Sequence, residues 1–275
     1  MLYLVGTPIG NLGDISPRAA DTLRQVDFIA AEDTRVSLKL LNHLEIKKPL
    51  MSYFAHNRRE SGEKILAKLL EGESCALISD AGMPAISDPG EELVALCREA
   101  GVAVLAVPGP SALVTALALS GLPTGRFTFE GFLSTSAKSR RTHLEALREE
   151  RRTMIFYEAP HKLPATLRDM FQAWGNREIA LSRELTKRYE ETIRTTLEEA
   201  ADRYTREKPK GEFVLVIAGA APQGESLEKE ALEQALLRLD ALTASGLSVK
   251  DAARQCAMET GIAKNTLYAE ALARR

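Results

Sequence analysis

The chain has 275 residues, 45% hydrophobic and 27% charged, with 36 Lys and Arg against 38 Asp and Glu and a formal net charge of -2. This composition excludes disorder as the main state, and the charge balance gives no bulk attraction for a polyanion, so any nucleic acid must be held by local patches. The length suits two domains with a small appendage, and Cys75, Cys97 and Cys256 lack the C-x-x-C spacing of zinc or dithiol chemistry, as expected of reduced core thiols in a cytoplasmic protein.

In chain order, Leu2 to Val5 reads as a first strand, too short to span a membrane and without the basic flank of a signal peptide. Phe28 to Ala31, Cys75 to Ile78 and Val102 to Val107 are further apolar runs, each ending in a polar or Gly/Pro-rich loop. Helical patterns lie between them over Ser61 to Leu70 and Glu91 to Cys97, and another runs through Leu119 with Ser111 as its N-cap. This βαβα order predicts a mostly parallel sheet.

Gly and Pro in Ser120 to Gly125 break the pattern and set a domain boundary after residue 120. Strand-like runs follow at Phe127 to Leu133, Thr153 to Tyr157, Glu178 to Ser182 and Glu212 to Ala218, with helices over Lys138 to Arg151 and Leu163 to Trp174. Residues 1–120 and 121–221 therefore read as two α/β domains. Ala220 to Gly224 is expected to be a linker, with a helix over Glu228 to Leu242 in a helical extension, 222–275. There Ser248 caps one helix, Gly261 makes a turn and Lys264-Asn265 opens a second. That pattern fits a helix-turn-helix or, equally, a helical hairpin packed on the body or on a partner subunit.

Three strands of the first half end in loops rich in Gly and Pro: Gly6 to Gly13, Ser79 to Pro84 and Pro108 to Ser111. Ligands of open α/β sheets bind beyond the carboxyl ends of the strands, where glycines let backbone N–H groups approach closely. Gly6, Gly10 and Gly13 do not make G-x-G-x-x-G and no P-loop occurs, which argues against a dinucleotide or nucleoside triphosphate. Leu113 stands where a nucleophile elbow needs Gly, and His43, His56, His143 and His161 show no metal-ligand spacing, so no metal is expected.

The runs Val5 to Asp14, Glu32 to Arg35, Ser79 to Pro84 with Asp88 to Gly90, Val107 to Ala112 and Ser120 to Pro123 resemble the tetrapyrrole-methylase fold of class III S-adenosylmethionine (SAM) dependent methyltransferases. The likeness extends to Phe129 to Leu133, Arg183 to Lys187 and Gly211 to Val214. Within that fold the chain is most similar to the bacterial 16S rRNA cytidine 2'-O-methyltransferases. Thr7-Pro8-Ile9-Gly10-Asn11 departs from the G-x-G-P-G-D loop usual in small-molecule members, which favours the rRNA branch. A porphyrinoid methyltransferase of the same fold is the runner-up, and for it the helical extension would be superfluous.

The resemblance implies SAM in a cleft between the two α/β domains. Its contacts would be Pro8, Asp80, Ala81, Gly82, Ala85, Ser111 and Ala112, with Glu158 and Leu185 from the second domain. The acceptor would be a ribose 2'-hydroxyl of 16S rRNA, free or in the small ribosomal subunit, and the protein a homodimer. Attack by a weakly acidic alcohol calls for positioning and a base or charge partner, for which Asp33, Glu184 and Lys187 have the right chemistry, with Arg35 to hold a phosphate. Arg58-Arg59, Lys138 to Arg141 and Arg151-Arg152 are basic clusters suited to RNA phosphates.

Overall fold

Short aliphatic runs alternating with amphipathic stretches build the expected α/β architecture. In order come β1 (Leu2–Val5), α1 (Pro17–Gln25), β2 (Phe28–Ala31), α2 (Thr34–His43), β3 (Leu50–Ser52), α3 (Arg58–Leu70), β4 (Cys75–Ile78), α4 (Glu91–Glu99), β5 (Val104–Val107) and α5 (Ala112–Ser120). The strands form an all-parallel sheet in the order β3-β2-β4-β1-β5. Separate apolar clusters cover its two faces, and β2 and β4 are buried at every residue. Because the strands are parallel, the loops after β1, β2, β4 and β5 leave from one edge of the sheet. All three cysteines are buried and free, and burial pushes the Cys75 thiol up to about 12.

The second sheet contains β6 (Phe127–Phe132), β7 (Thr153–Glu158), β8 (Glu178–Arg183), β9 (Glu191–Thr196) and β10 (Phe213–Ile217), in the order β6-β7-β10-β8-β9. Only β6 and β7 pair in parallel; the other neighbours are antiparallel. Helices α6 (Ala137–Ala146), α7 (Leu163–Trp174) and α8 (Leu197–Arg206) accompany it. One face of this sheet packs Met154, Phe156 and Leu215 against Leu167, Met170 and Tyr204. The other face packs Ile155, Val214 and Val216 against Leu113, Ala116 and Leu117 of α5. That helix therefore belongs to the first half by sequence and to the second sheet by packing. The helix expected over Lys138 to Arg151 is shorter, because the chain turns at Leu147.

The computed structural model describes residues 1–221 and 223–274 and divides into two compact units, Met1–Gly219 and Ala220–Arg275. Both sheets lie in the first unit. In the second, α9 (Gln223–Ala244) takes up Gln223 and Gly224 of the expected linker, while Pro222 lies outside the described residues. Helices α10 (Val249–Thr260) and α11 (Lys264–Ala273) complete that unit. Leu236 and Leu239 pack on Ala252, Ala253, Cys256 and Leu267, and the small alanines permit close helix approach. Ser248 accepts the Asp251 N–H at the start of α10, and Gly261 ends it in the left-handed region at φ 74.

In the first unit, Asp169 on α7 accepts from Arg140 Nε at 2.8 Å and Arg141 Nε at 3.2 Å, with Asp169 5% and Arg140 8% exposed. Removing one partner of such a pair strands a buried charge. Asp169→Ala is expected to cost about 3–5 kcal/mol in urea unfolding. A loss below about 1 kcal/mol, the value of a solvated pair, would show that Arg140 finds water instead.

Candidate active site

The three Gly/Pro-rich loops come together at the carboxyl edge of the parallel sheet. Thr7 N–H donates to Gly82 O at 2.9 Å, Gly82 N–H donates back to Thr7 O at 3.1 Å, and the Thr7 hydroxyl donates to Ser79 O at 3.2 Å. Gly6 meets Gly109 so closely that a Cβ on either would lie 2.7 or 2.8 Å from the other's backbone. A Cβ on Gly82 would sit 3.7 Å from Pro110 O, so the second and third loops also touch. The segment after β8 closes on the first loop, since a Cβ on Gly10 would be 2.5 Å from Lys187 Cγ and 2.9 Å from Thr186 Oγ1. Pro8, Asp80, Ala81, Gly82 and Ser111, with Ala85 and Ala112 farther along the same segments, are thereby gathered with the Leu185 backbone.

Backbone strain concentrates in two of these segments. Ala85, Ser87, Glu184 and Thr186 adopt positive φ of 69, 63, 49 and 65. Each such residue costs about 1–3 kcal/mol and persists only where its surroundings enforce it, a pattern typical of ligand sites. The Thr186 hydroxyl is buried without a hydrogen-bond partner among the described residues and lies over Gly10. It is a polar group left available to a ligand.

Three carboxylates line the strand ends. Burial, reinforced by Asp88 and Asp80, raises the Glu32 carboxyl above its ordinary range. Burial raises Asp80 and Asp88 as well, against hydrogen bonds from the Asp33 N–H and from Ser79 respectively. These groups repel one another until a cation arrives, so the cradle fits a positively charged ligand such as a sulfonium donor. Among the described residues no cluster of three or more His, Cys, Asp or Glu is arranged to hold a metal ion. Glu32 and Asp88 are not among the residues expected from sequence, and only their burial distinguishes them.

Several expected side chains have other tasks. Ser111 stands at the N-cap of α5, but its side chain makes no cap; the Leu113 N–H donates instead to the Tyr157 hydroxyl at 3.2 Å. Asp33 caps α2 through the Arg35 N–H and pairs with Arg35 Nη2 at 2.7 Å, and these bonds hold its carboxyl at about 2. A carboxylate that acidic is poorly matched to removing a proton from an alcohol. Arg35 reaches outward with its side chain 87% exposed.

Lys187 Nζ donates to Glu184 Oε1 at 3.0 Å and to Glu212 Oε2 at 3.3 Å. Burial alone would raise the Glu184 carboxyl, but Lys187 and the Glu212 N–H outweigh it and lower it. Burial likewise works to lower Lys187, and its two carboxylates reverse that, so it stays charged. Neither is a free base. The Glu158 carboxylate, 1% exposed, accepts from Thr166 Oγ1 at 2.6 Å and the Ala159 N–H at 2.8 Å, so both its oxygens are engaged within the protein. The Leu185 side chain is 6% exposed and packed with Leu113 and Val214.

With this fold and edge, the chain belongs to the tetrapyrrole (corrin/porphyrin) methylases, whose family model matches residues 1–201. It is a methyltransferase with the two-sheet fold of that family. A second model, the RsmI C-terminal HTH domain, matches residues 230–275. A protein of Synechocystis sp. named ribosomal RNA small subunit methyltransferase I is 52% identical over 270 residues, 98% of this chain and 96% of that protein. One of the same name from Thermotoga maritima is 49% identical over 218 residues, 79% of this chain and 98% of its own length. Among solved structures, a diphthine synthase shares the fold with a TM-score of 0.61 at 14% identity, covering 82% of this chain and 93% of that one.

The raised carboxyls set a pH dependence. The folded protein holds more protons than the unfolded chain above the ordinary carboxylate range, so these groups make stability fall as pH rises through that window. Glu32→Gln removes one of them and is expected to unfold at a higher temperature than wild type at about pH 7, with no difference at about pH 3. A lower melting temperature at neutral pH would contradict mutual repulsion at this edge.

Proposed function

We propose that the protein transfers a methyl group from SAM to the ribose 2'-hydroxyl of a cytidine in 16S rRNA, acting in the cytoplasm on the rRNA or the small ribosomal subunit. The observation that carries this reading is the convergence of three strand-end loops on an acidic cradle, in a chain whose relatives over nearly full length are named small-subunit rRNA methyltransferases. No helix among the described residues is long and apolar enough to cross a membrane.

SAM bound there supplies a methyl group on a cationic sulfur. The backbone of Pro8, Ala81, Gly82, Ala85, Ser111, Ala112, Glu158 and Leu185 forms the walls, and Asp80 with Glu32 and Asp88 supplies the opposing charge. Lys187 and Arg35 are cations at the mouth, held in place by Glu184 and Asp33, and suited to the phosphates flanking the acceptor. In-line attack would form the bond from the hydroxyl oxygen to the methyl carbon as the carbon–sulfur bond breaks, with the sulfur leaving as a neutral thioether. Glu32, Asp80 and Asp88, all raised by burial, are better matched than Asp33 to take the hydroxyl proton, and no metal is needed in this scheme. Positioning supplies much of the acceleration.

Residues 1–120 and 121–221 act in this scheme as two methylase domains sharing α5, and 222–275 as an RNA-docking extension. The Thermotoga maritima relative, matched over 218 residues, is about the length of the first unit, which supports placing the chemistry there. A homodimer would cover apolar side chains that the single chain leaves open, Val114 of α5 at 55% exposed and Leu105 of the edge strand β5 at 48%.

Incubation with labelled SAM and small ribosomal subunits lacking the modification, followed by nucleotide mapping, should place label on one cytidine ribose. A chain ending at Gly219 should keep its SAM affinity while its KM for RNA rises at least roughly tenfold. RNA left without label would overturn the assignment, and equal loss of SAM and RNA binding would remove the docking role.

A further inference from the structure

The basic clusters most visible in sequence are largely occupied by the protein's own acids. Arg58 pairs with Glu92, Arg59 with Glu63, Arg140 and Arg141 with Asp169, and Arg152 with Glu150. A different group of cations is better placed. A cavity of about 230 Å³ is lined by Arg183, Arg203, Lys208 and Lys210, with Tyr204 and Phe213 beneath.

Arg183 and Arg203 are already paired, with Glu191 at 2.6 Å and Glu207 at 3.0 Å. Lys208 and Lys210 are exposed and have no carboxylate within 4.0 Å among the described residues. Glu207 is the only acid in the lining, so the cavity carries an excess of positive charge beside a pair of rings, Tyr204 and Phe213, in edge contact at 5.7 Å.

Its place in the fold is fixed relative to the candidate active site. Arg183 ends β8, immediately before Glu184. The segment bearing Lys208 and Lys210 is locked to the same residue: Gly211, at φ 82, would drive a Cβ to within 2.5 Å of Glu184 Cγ, and the Glu212 N–H donates to Glu184 Oε1 at 3.2 Å. The Glu184–Lys187 turn that covers Gly10 is thus one wall away from a cationic cavity.

We infer that this cavity is a phosphodiester-binding subsite, in which Lys208 and Lys210 hold the RNA strand a short distance from the acceptor nucleotide. The inference rests on the rRNA reading above. Arg183 and Arg203, each held by a carboxylate, shape the wall, and the two lysines, unpaired among the described residues, carry the net positive charge and are the adaptable contacts. Their ammonium groups act as point charges toward phosphate oxygens, without base preference.

The test compares wild type with K208A/K210A and K208R/K210R in methyl transfer to unmodified small ribosomal subunits across a range of potassium chloride concentrations. K208A/K210A should raise KM roughly fivefold or more at low salt and flatten the dependence of log KM on log salt by about 0.7 for each phosphate the variant no longer neutralises. Turnover at saturating RNA and SAM affinity should be unchanged, and K208R/K210R should restore KM. Unchanged KM and salt slope in the alanine variant, or a parallel loss of SAM affinity, would overturn the subsite. If wild type transfers no methyl to RNA, the functional reading fails first. Anisotropy of a labelled single-stranded RNA then judges the cavity alone, with equal salt slopes for wild type and K208A/K210A counting against it.

Discussion

Gly6 and Gly109 have no side chains to hold their backbones apart, and the contact between them joins the loops after β1 and β5. With the paired hydrogen bonds of Thr7 and Gly82, it draws three strand ends into one rim. The proposed donor site depends on that closeness: burial raises the Glu32, Asp80 and Asp88 carboxyls, and Asp80 adds to the rise of both Glu32 and Asp88. The segment after β8 completes the rim through Gly10, at the cost of left-handed backbone at Glu184 and Thr186. A methyl donor that is cationic at sulfur and an acceptor that is polyanionic make opposite demands. In the proposed reading the first sheet meets one with carboxylates at its carboxyl edge, and the second meets the other with Lys187 and the lysines beside Tyr204. A net charge near zero is a sum over the whole chain, which leaves room for local excesses of either sign and is not evidence against either partner.

Much of the fold is legible in sequence because β1, β2 and β4 are unbroken apolar runs, as buried parallel strands must be, each stopped by Gly, Glu or Ser. Strand β3 is invisible there because Leu50–Ser52 is too short to show any period, and β9 because ETIRTT carries charge along an edge. Helix α2 is hidden in plain view: Asp33 has the chemistry of a catalytic group, whereas its carboxylate caps the helix that follows. The three loops can be found because glycine and proline announce close backbone approach. Which polar side chain serves which purpose cannot, since the partners lie far apart in sequence. Tyr157 reaches Leu113 across 44 residues, and Asp169 neutralises Arg140 across 29. Lys208 and Lys210 do not stand out because Glu207 and Glu212 flank them in sequence, although Glu207 is committed to Arg203 and Glu212 to Lys187.

The central claim is that a self-repelling acidic cradle at the carboxyl edge of the parallel sheet holds the cationic donor. Titration calorimetry of SAM into the protein at about pH 5.5, in two buffers of different ionisation enthalpy, measures the protons exchanged on binding. If the donor's positive charge favours the ionised carboxylates, binding must release protons to the buffer. Binding with no proton exchange, or with uptake, would contradict the cradle.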